Sequence, residues 1–374
     1  MHEPFTHALW IYRNMAKRKI TGRKINIELK KGKPVNNSGM VNHMKKFLSV
    51  LTASILTATM LASCGDNGGS SQSSNEMKKI GVVQIIEHKS LDTIRDSFTE
   101  QMETLGYKDG ENCSIQYKSA QGDQNTLNSI IQGFQGDKVD VIVAIATPTA
   151  QAAASAAKDI PVVFSAVTDP VAAGLVSDMD KPDKNITGTS DAVQVEKILD
   201  LALQLTPDIK TLGVLYNTGE ANSESNLQKA KAFADEHGLT IVEGVATNTS
   251  EVQQAAQVLA DKVDAIFAPN DNTIANAMAA VAEVTKKAKV PVYTGADSMV
   301  SDGGFATIGI DYTELGHETA NMVDAILKGT STADLPVKVF KDDLNTYINE
   351  TTAAEIGVTI PDEILNGERT VLMQ

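Results

Sequence analysis

Cysteine is almost missing from this chain: Cys64 and Cys113 are the only two in 374 residues. Two cysteines cannot build a disulfide framework, and without a CxxC or a Cys/His cluster a structural zinc site has no support. Histidine is scarce as well. Beyond residue 63 only His88, His237 and His317 occur, and the last two fall in helix-like segments away from any strand end. A His-based triad is hard to assemble from such a set. No GxSxG, HExxH, GxGxxG or GxxxxGK[ST] is present, which removes the commonest hydrolase, metalloprotease and nucleotide-binding signatures. The uncharged run Phe47 to Ala62 is sixteen residues long, short of the ~20 that a bilayer span needs.

Basic charge is also in deficit, and unevenly. The whole chain carries a formal net charge of −14. Residues 1–63 hold eleven Lys/Arg against Glu3 and Glu28, which leaves 22 basic and 45 acidic residues over 64–374, a net of −23. So acidic a surface repels phosphate backbones, and nucleic acid is not an expected partner.

What is present begins with the start of the chain. "MKKFLSVLTASILTATMLASC" (44–64) places two lysines before the apolar run and a Gly/Ser/Asn-rich stretch after it, the layout of a secretory signal. Leu61-Ala62-Ser63-Cys64 resembles the lipobox of bacterial lipoproteins, which implies cleavage before Cys64 and a diacylglycerol on its sulfur. Residues 1–43 are then expected to lie upstream of the true initiator, Met44, the alternative being a long basic leader. Residues 64–78 read as a flexible tether, too polar and Gly/Ser-rich to fold alone.

From residue 79 short apolar strand-like runs alternate with amphipathic segments. "KIGVVQII", "VDVIVAIA" and "IPVVFSAV" are continuous β-rich runs, as strands buried on both faces require, and the segments between them carry helical spacing. The set then repeats: Gly81, Val139 and Pro161 recur as Gly213, Val263 and Pro291, at offsets of 132, 124 and 130 residues. The fold class expected is α/β, two similar Rossmann-like lobes with parallel sheets. "NITGTSD", "TIGIDYTELG" and "VKVFKDDLNTYINE" read as crossings, giving a three-strand hinge. Lobe 1 is expected over 79–188 plus 312–340, and lobe 2 over 189–311 plus 341–374. Ligands in such sheets sit beyond the carboxyl ends of the strands, so two facing lobes would share one cleft.

These features together resemble the type I periplasmic binding proteins of ABC importers. "IIEHKSLD", "ATPTAQAA", "FSAVTDPVAAGLV", "NITGTSD" and "LYNTGEANS" are similar to the ABC substrate-binding lipoproteins often associated with tryptophan or tyrosine uptake, over nearly all of 79–365. Lys89 is a departure, since many relatives have proline after Glu-His. The resemblance implies an extracytoplasmic, lipid-anchored monomer that captures an amino acid-like ligand, best an aromatic one, and delivers it to a permease and its ATPase, with neither enzymatic chemistry nor a cofactor. A sensory module of the same fold, or an importer component for another small solute, is the alternative.

A zwitterionic ligand needs donors for its carboxylate and an acid for its ammonium. Thr147 and Thr149 sit where a helix should begin, a position that favours an anion, though Thr147 equally reads as that helix's N-cap. Ser165, Thr168 and Asp169 follow the next strand, and Asp169 before Pro170 is also a common turn pair. Glu87, Glu220, Asp271 and Asp297 all occupy loops after strands. Asp297 and Glu220 are favoured for the ammonium because they would answer the first lobe's hydroxyls across the cleft. Asn217 and Asn270 can donate and accept without adding charge. An apolar slot is expected from Ile86, Phe164 and Tyr216, residues that as strand neighbours read equally well as core.

Overall fold

The structure, a computed structural model, describes residues 77–374. Cys64, the apolar run before it, the basic segment 1–43 and all but the last residues of the tether lie outside the described residues.

The chain begins with β1 (Lys78–Gln84), α1 (Lys89–Thr104), β2 (Cys113–Ser119), α2 (Gln124–Asp137), β3 (Val141–Ile145), α3 (Thr147–Ala156), β4 (Val162–Ser165) and β5 (Ile186–Ser190). It then crosses to α4 (Val195–Leu205), β6 (Thr211–Tyr216), α5 (Ala221–His237), β7 (Thr240–Val245), α6 (Thr249–Ala260), β8 (Ala265–Ala268), α7 (Asn272–Asn276), α8 (Met278–Ala288), β9 (Val292–Thr294), α9 (Asp297–Ser301) and β10 (Ala306–Gly309). Helix α10 (Tyr312–Leu327) and β11 (Lys338–Val339) return to the first lobe. The second lobe is completed by β12 (Asn345–Asn349), α11 (Glu350–Ile356), α12 (Asp362–Leu365) and β13 (Thr370–Met373).

Two sheets result. The first has the order β2-β1-β3-β4-β5-β11 and is parallel throughout. The second runs β7-β6-β8-β9-β10-β12-β13, parallel except that β12 lies antiparallel to β10. That exception departs from the expected parallel sheets. β12 enters from the other lobe, so it needs no crossover helix to reach its neighbour and is free to take the opposite direction. The first crossing also falls slightly later than expected: β5 runs through Ser190, so the link is 191–194 rather than one beginning at 189. The other two links are 310–311 and 340–344.

The repeated glycines have a packing reason. A Cβ on Gly81 in β1 would lie 2.7 Å from the Phe134 ring of α2, and one on Gly213 in β6 would lie 2.8 Å from Leu259 of α6. In each lobe the second helix after the first strand presses a large side chain onto that strand, and only glycine leaves room for it. Alternate strand residues feed opposite faces: Val214 and Phe267 join Ile198 on one side of the second sheet, while Leu215 and Ile266 join Val281 on the other.

In both sheets the strand order reverses beside the first strand, between β1 and β3 and between β6 and β8. Such switch points open a crevice at the carboxyl ends of the strands. The loops after β1, β3, β6 and β8 therefore have a topological reason to carry the site.

Candidate functional site

Those loops, with the ones after β4, β5 and β9, enclose a cavity between the lobes. Its lining includes His88, Leu91, Ala146, Thr147, Thr168 and Asp191 from one side, Asn222, Asn270, Asn272, Ala275 and Met299 from the other, and Tyr312 beside the hinge. The space open to water centres is about 20 Å³, little more than one water requires. The lobes are closed on one another, and admitting a larger solute requires them to separate.

Asp191 is the electrostatic centre of this cavity. Its carboxylate is 4% exposed and accepts from Thr168 Oγ1 at 3.0 Å, from Asn270 Nδ2 at 2.8 Å and from the Tyr312 hydroxyl at 3.2 Å. Asn270 also donates to Thr168 Oγ1 at 2.7 Å, so a second-lobe side chain is bonded to two first-lobe groups. Burial pushes the Asp191 carboxyl above the usual aspartate range, while the bonds from Asn270, Thr168 and Tyr312 pull it back.

Three polar atoms in the lining have no partner: Thr147 Oγ1, His88 Nδ1 and Asn222 Oδ1. Two backbone positions there are also unusual. Ala146 has φ 78° and ψ 157°, a region populated almost only by glycine, and Ala166 has φ 56°. Non-glycine residues persist in such conformations where the surroundings hold them, most often at ligand sites. Here the two alanines turn the chain sharply at the ends of β3 and β4, directly into the cavity wall.

A seam of contacts from the segment 87–90 closes the lobes. Asn276 Nδ2 donates to the Glu87 carbonyl at 2.8 Å, His88 Nε2 meets Asn272 Oδ1 at 3.2 Å, and Ser90 Oγ meets Ser298 Oγ at 2.6 Å. Lys89 pairs with Asp302 and donates to Ser301 Oγ at 3.1 Å. Burial lowers the His88 pKa, against the Asn272 bond and the nearby Asp92 and Asp302 carboxylates. The imidazole is therefore held neutral.

Of the residues singled out in the sequence, Thr147, Thr168 and Asn270 come together in the cavity. Thr147 is not the cap of α3: Ala146 occupies that position, and the Thr147 hydroxyl is left for something else. The others go elsewhere. Thr149 is buried and is not part of the cavity lining, its hydroxyl also unpartnered. Ser165 bonds Thr319 and Thr189 beneath the sheet edge. Asp169 accepts from the Ala172 N–H in its own turn and, at 3.4 Å, from Ser225 Oγ of the other lobe. Glu87 is exposed and accepts from the Tyr117 hydroxyl. Asn217 bonds Thr273 and Gly219 at an outer groove.

The acids favoured for the ammonium are likewise committed away from the cavity. Glu220 accepts from Asn222, Asn272 and Thr273, and Asp271 caps α7 while accepting from Asn217 N and Ser223. Burial, and then the neighbouring Glu220, raises the Asp271 pKa. Asp297 accepts from Ser298 N, its carboxyl pushed up to about 6 by burial, and its neighbours Ala296 and Met299 face the cavity instead. The expected apolar slot is also different. Phe164 is core, Tyr216 donates to Glu243 on β7, and Ile86 lines the outer groove. Leu91, Ala275, Met299 and Tyr312 supply the apolar wall.

His88, beside Glu87, reads from the sequence as part of a binding loop; Asp191, Asn222, Asn272 and Tyr312 are cavity residues that the sequence does not single out. Asp191 ends "NITGTSD", a segment read only as a crossing. Its place after a strand, like that of Asn222 in "GEANS", was the available signal.

Among the described residues no helix is long and apolar enough to cross a membrane. The family model of ABC transporter substrate binding proteins matches residues 79–371. The "Tyrosine-binding protein" of Clostridioides difficile (strain R20291) is 41% identical over 315 residues, 82% of this chain and 91% of that protein. The structure of an ABC domain in complex with L-Trp from Streptococcus pneumonia is 38% identical over 80% of this chain and 100% of that one, with a TM-score of 0.76. A ligand-free, open substrate-binding protein with adhesive properties from Clostridium difficile is 41% identical over the same shares, yet superposes at 0.60. Poorer superposition at higher identity fits a difference in lobe placement, as the closed seam here requires. Two lobes hinged over a polar cleft are the architecture of type I periplasmic binding proteins, and the chain belongs to the family of ABC transporter substrate-binding proteins.

Proposed function

We propose that this protein captures a free aromatic amino acid between its lobes and delivers it to an ABC permease and its ATPase. It would do so while held at the outer face of the cell membrane by a lipid on Cys64. The observation that carries the reading is a buried carboxylate, Asp191, bonded from both lobes and sharing its cavity with an unpartnered hydroxyl at the start of α3. A carboxylate matches a ligand ammonium. The Thr147 hydroxyl and the amides that open α3 match a ligand carboxylate, which the positive end of a helix favours. Leu91, Ala275, Met299 and Tyr312 offer the ligand side chain an apolar wall.

The role is capture without a chemical step. Ligand favours the closed form only by binding it more strongly than the open one, and Asn270 reaching across to Thr168 and Asp191 gives closure that dependence. The names of the tyrosine-binding relative and of the L-Trp complex support an aromatic side chain over an aliphatic one.

Calorimetric titration with tryptophan, tyrosine, phenylalanine and leucine tests the ligand class. Heat and a thermal shift with at least one aromatic amino acid, and none with leucine, are expected; silence with all four overturns the reading. For the anchor, the expected result is a diacylglyceryl mass on Cys64 in protein from its native cell, and release from the membrane fraction on Cys64→Ser. A membrane-bound Cys64→Ser protein would remove the lipid from the proposal.

A further inference from the structure

Helix α5 of the second lobe holds Asn270, the residue that reaches across to the first lobe, by both its main chain and its side chain. Asn222 and Asn226 stand four residues apart, on one face of that helix. Asn222 Nδ2 donates to the Asn270 backbone carbonyl at 3.2 Å, and Asn226 Nδ2 donates to the Asn270 side-chain Oδ1 at 2.8 Å. Gly295, just after β9, packs against the same backbone. A Cβ there would lie 2.2 Å from Asn270 N, so only glycine leaves the loop room.

These bonds admit one arrangement of the amides. The ionised Asp191 carboxylate can only accept, so the Asn270 group facing it at 2.8 Å is the NH2, whose other hydrogen goes to Thr168 Oγ1 at 2.7 Å. The Asn270 side-chain oxygen is thereby turned toward Asn226, which must answer with its own NH2. Asn226 Oδ1 is then left as a buried acceptor without a partner, on a residue 0% exposed. An unpaired buried acceptor costs stability, so packing alone does not account for an amide at this position. Its NH2, aimed at Asn270, does. Asn226 lies outside the cavity lining, and it acts on a ligand only through Asn270.

We propose that Asn226 is a positioning residue for ligand capture: it holds the Asn270 amide with both N–H groups aimed at Thr168 and Asp191, so that the lobes close without first having to orient it. The inference rests on the reading of ligand-driven closure over the same cavity. Asn222, Asn226 and Gly295 all belong to the lobe that carries Asn270, so the donor pair is set before the lobes meet. A side chain held loosely in the open form has to be ordered on closure, and that ordering is taken from the binding energy. An Asn270 amide released by Asn226 is also free to turn over. Its carbonyl oxygen then faces the Asp191 carboxylate, acceptor against acceptor, and opposes closure.

The test uses whichever of tryptophan, tyrosine and phenylalanine the unaltered protein binds, and reads its dissociation constant and both rate constants. Asn226→Leu keeps the bulk and removes the donor. Its dissociation constant is expected to rise about two- to ten-fold. The rise should come from faster dissociation, with association within about two-fold of the unaltered protein's, because encounter precedes the clasp. A double-mutant cycle with Asn270→Ala gives the second readout: with Asn270 already truncated, Asn226→Leu should change affinity by less than about two-fold. A helix merely loosened by the substitution would weaken the single and the double variant alike. Asn226→Ala takes over should the leucine variant fail to fold, and the rate constants decide should Asn270→Ala bind too weakly to titrate. A loss that persists in the Asn270→Ala background, or one carried by slower association, overturns the positioning role. Unchanged affinity in folded Asn226→Leu also overturns it, and leaves the amino-acid reading in place. No binding of any of the three to the unaltered protein overturns that reading and the inference with it.

Discussion

Asp191 has a proton at pH values where an exposed aspartate, near 3.9, has already lost one, because burial raises its pKa. Ionising it in the folded, empty protein costs stability as pH rises from the ordinary value through the raised one. An ammonium group beside it reverses the balance and drives the proton off. Affinity for an amino acid is therefore expected to fall as pH drops through the raised pKa, and binding in that window should release protons. Calorimetry in two buffers of different ionisation enthalpy reads this directly, and the His88→Phe background removes any contribution from the imidazole. Proton uptake on binding would show that Asp191 does not receive the ammonium. Asp191→Asn should weaken binding by about 30- to 4,000-fold, the range for losing one partner of a buried charge pair. At this scale Thr147, Thr168 and Asn270, singled out in the sequence, line the cavity, whereas Glu220, Asp271 and Asp297 do not. Glu220, Asp271, Asp297 and Asp191 all follow strands, and nothing local separates a carboxylate lining the cavity from one facing its own loop. Asp271 caps α7 and Glu220 ties two loops together, roles set by which N–H groups the fold brings near.

Helices and strands were far more readable, because their signals are periodic and summed over many residues. The recurrence of Gly81 as Gly213 marked two equivalent first strands, and the close approach of Phe134 and Leu259 gives that recurrence its physical content. Gly81→Ala should destabilise the protein by about 1–3 kcal/mol, the usual range for overpacking a dense core. Phe134→Leu in that background should recover part of the loss. Urea denaturation followed by circular dichroism measures both. An unchanged midpoint for Gly81→Ala would mean that the ring yields without cost and that the glycine has another reason. Element ends were less readable than element centres. The start of α3 was expected to be capped by Thr147, yet Ala146 takes the cap position with φ 78° and ψ 157°. Alanine gives no local hint of such a conformation, which only the neighbouring strand ends and loops can impose.

For the molecule as a whole, closure depends on groups from both lobes meeting along the segment 87–90 and at Asn270, which donates to Thr168 and Asp191. Ser90–Ser298 is buried and His88–Asn272 half-buried, but the Lys89–Asp302 pair lies at the rim, with the lysine side chain 58% exposed. Exposed pairs contribute about 0–1 kcal/mol. Lys89→Ala should accordingly weaken ligand binding less than about five-fold, and the difference should vanish as salt screens the pair. Dissociation constants at low and high salt decide it: a loss beyond ten-fold that persists in high salt would assign Lys89 a direct part in the site. Since the closed cavity holds little more than one water, the lobes must part and close again in each cycle about the links at 191–194, 310–311 and 340–344.

The sequence by itself determined the α/β class and the duplication into two lobes. Each follows from apolar periodicity and from residues adjacent along the chain. Only the tertiary structure decided which polar atoms are spent and which remain free. His88 and Asn272 are 184 residues apart, and Glu220 and Asn272 are 52 apart. A hydrogen bond consumes a donor or an acceptor wherever its partner lies in the chain, so the atoms left for a ligand are known only once every long-range partner is in place.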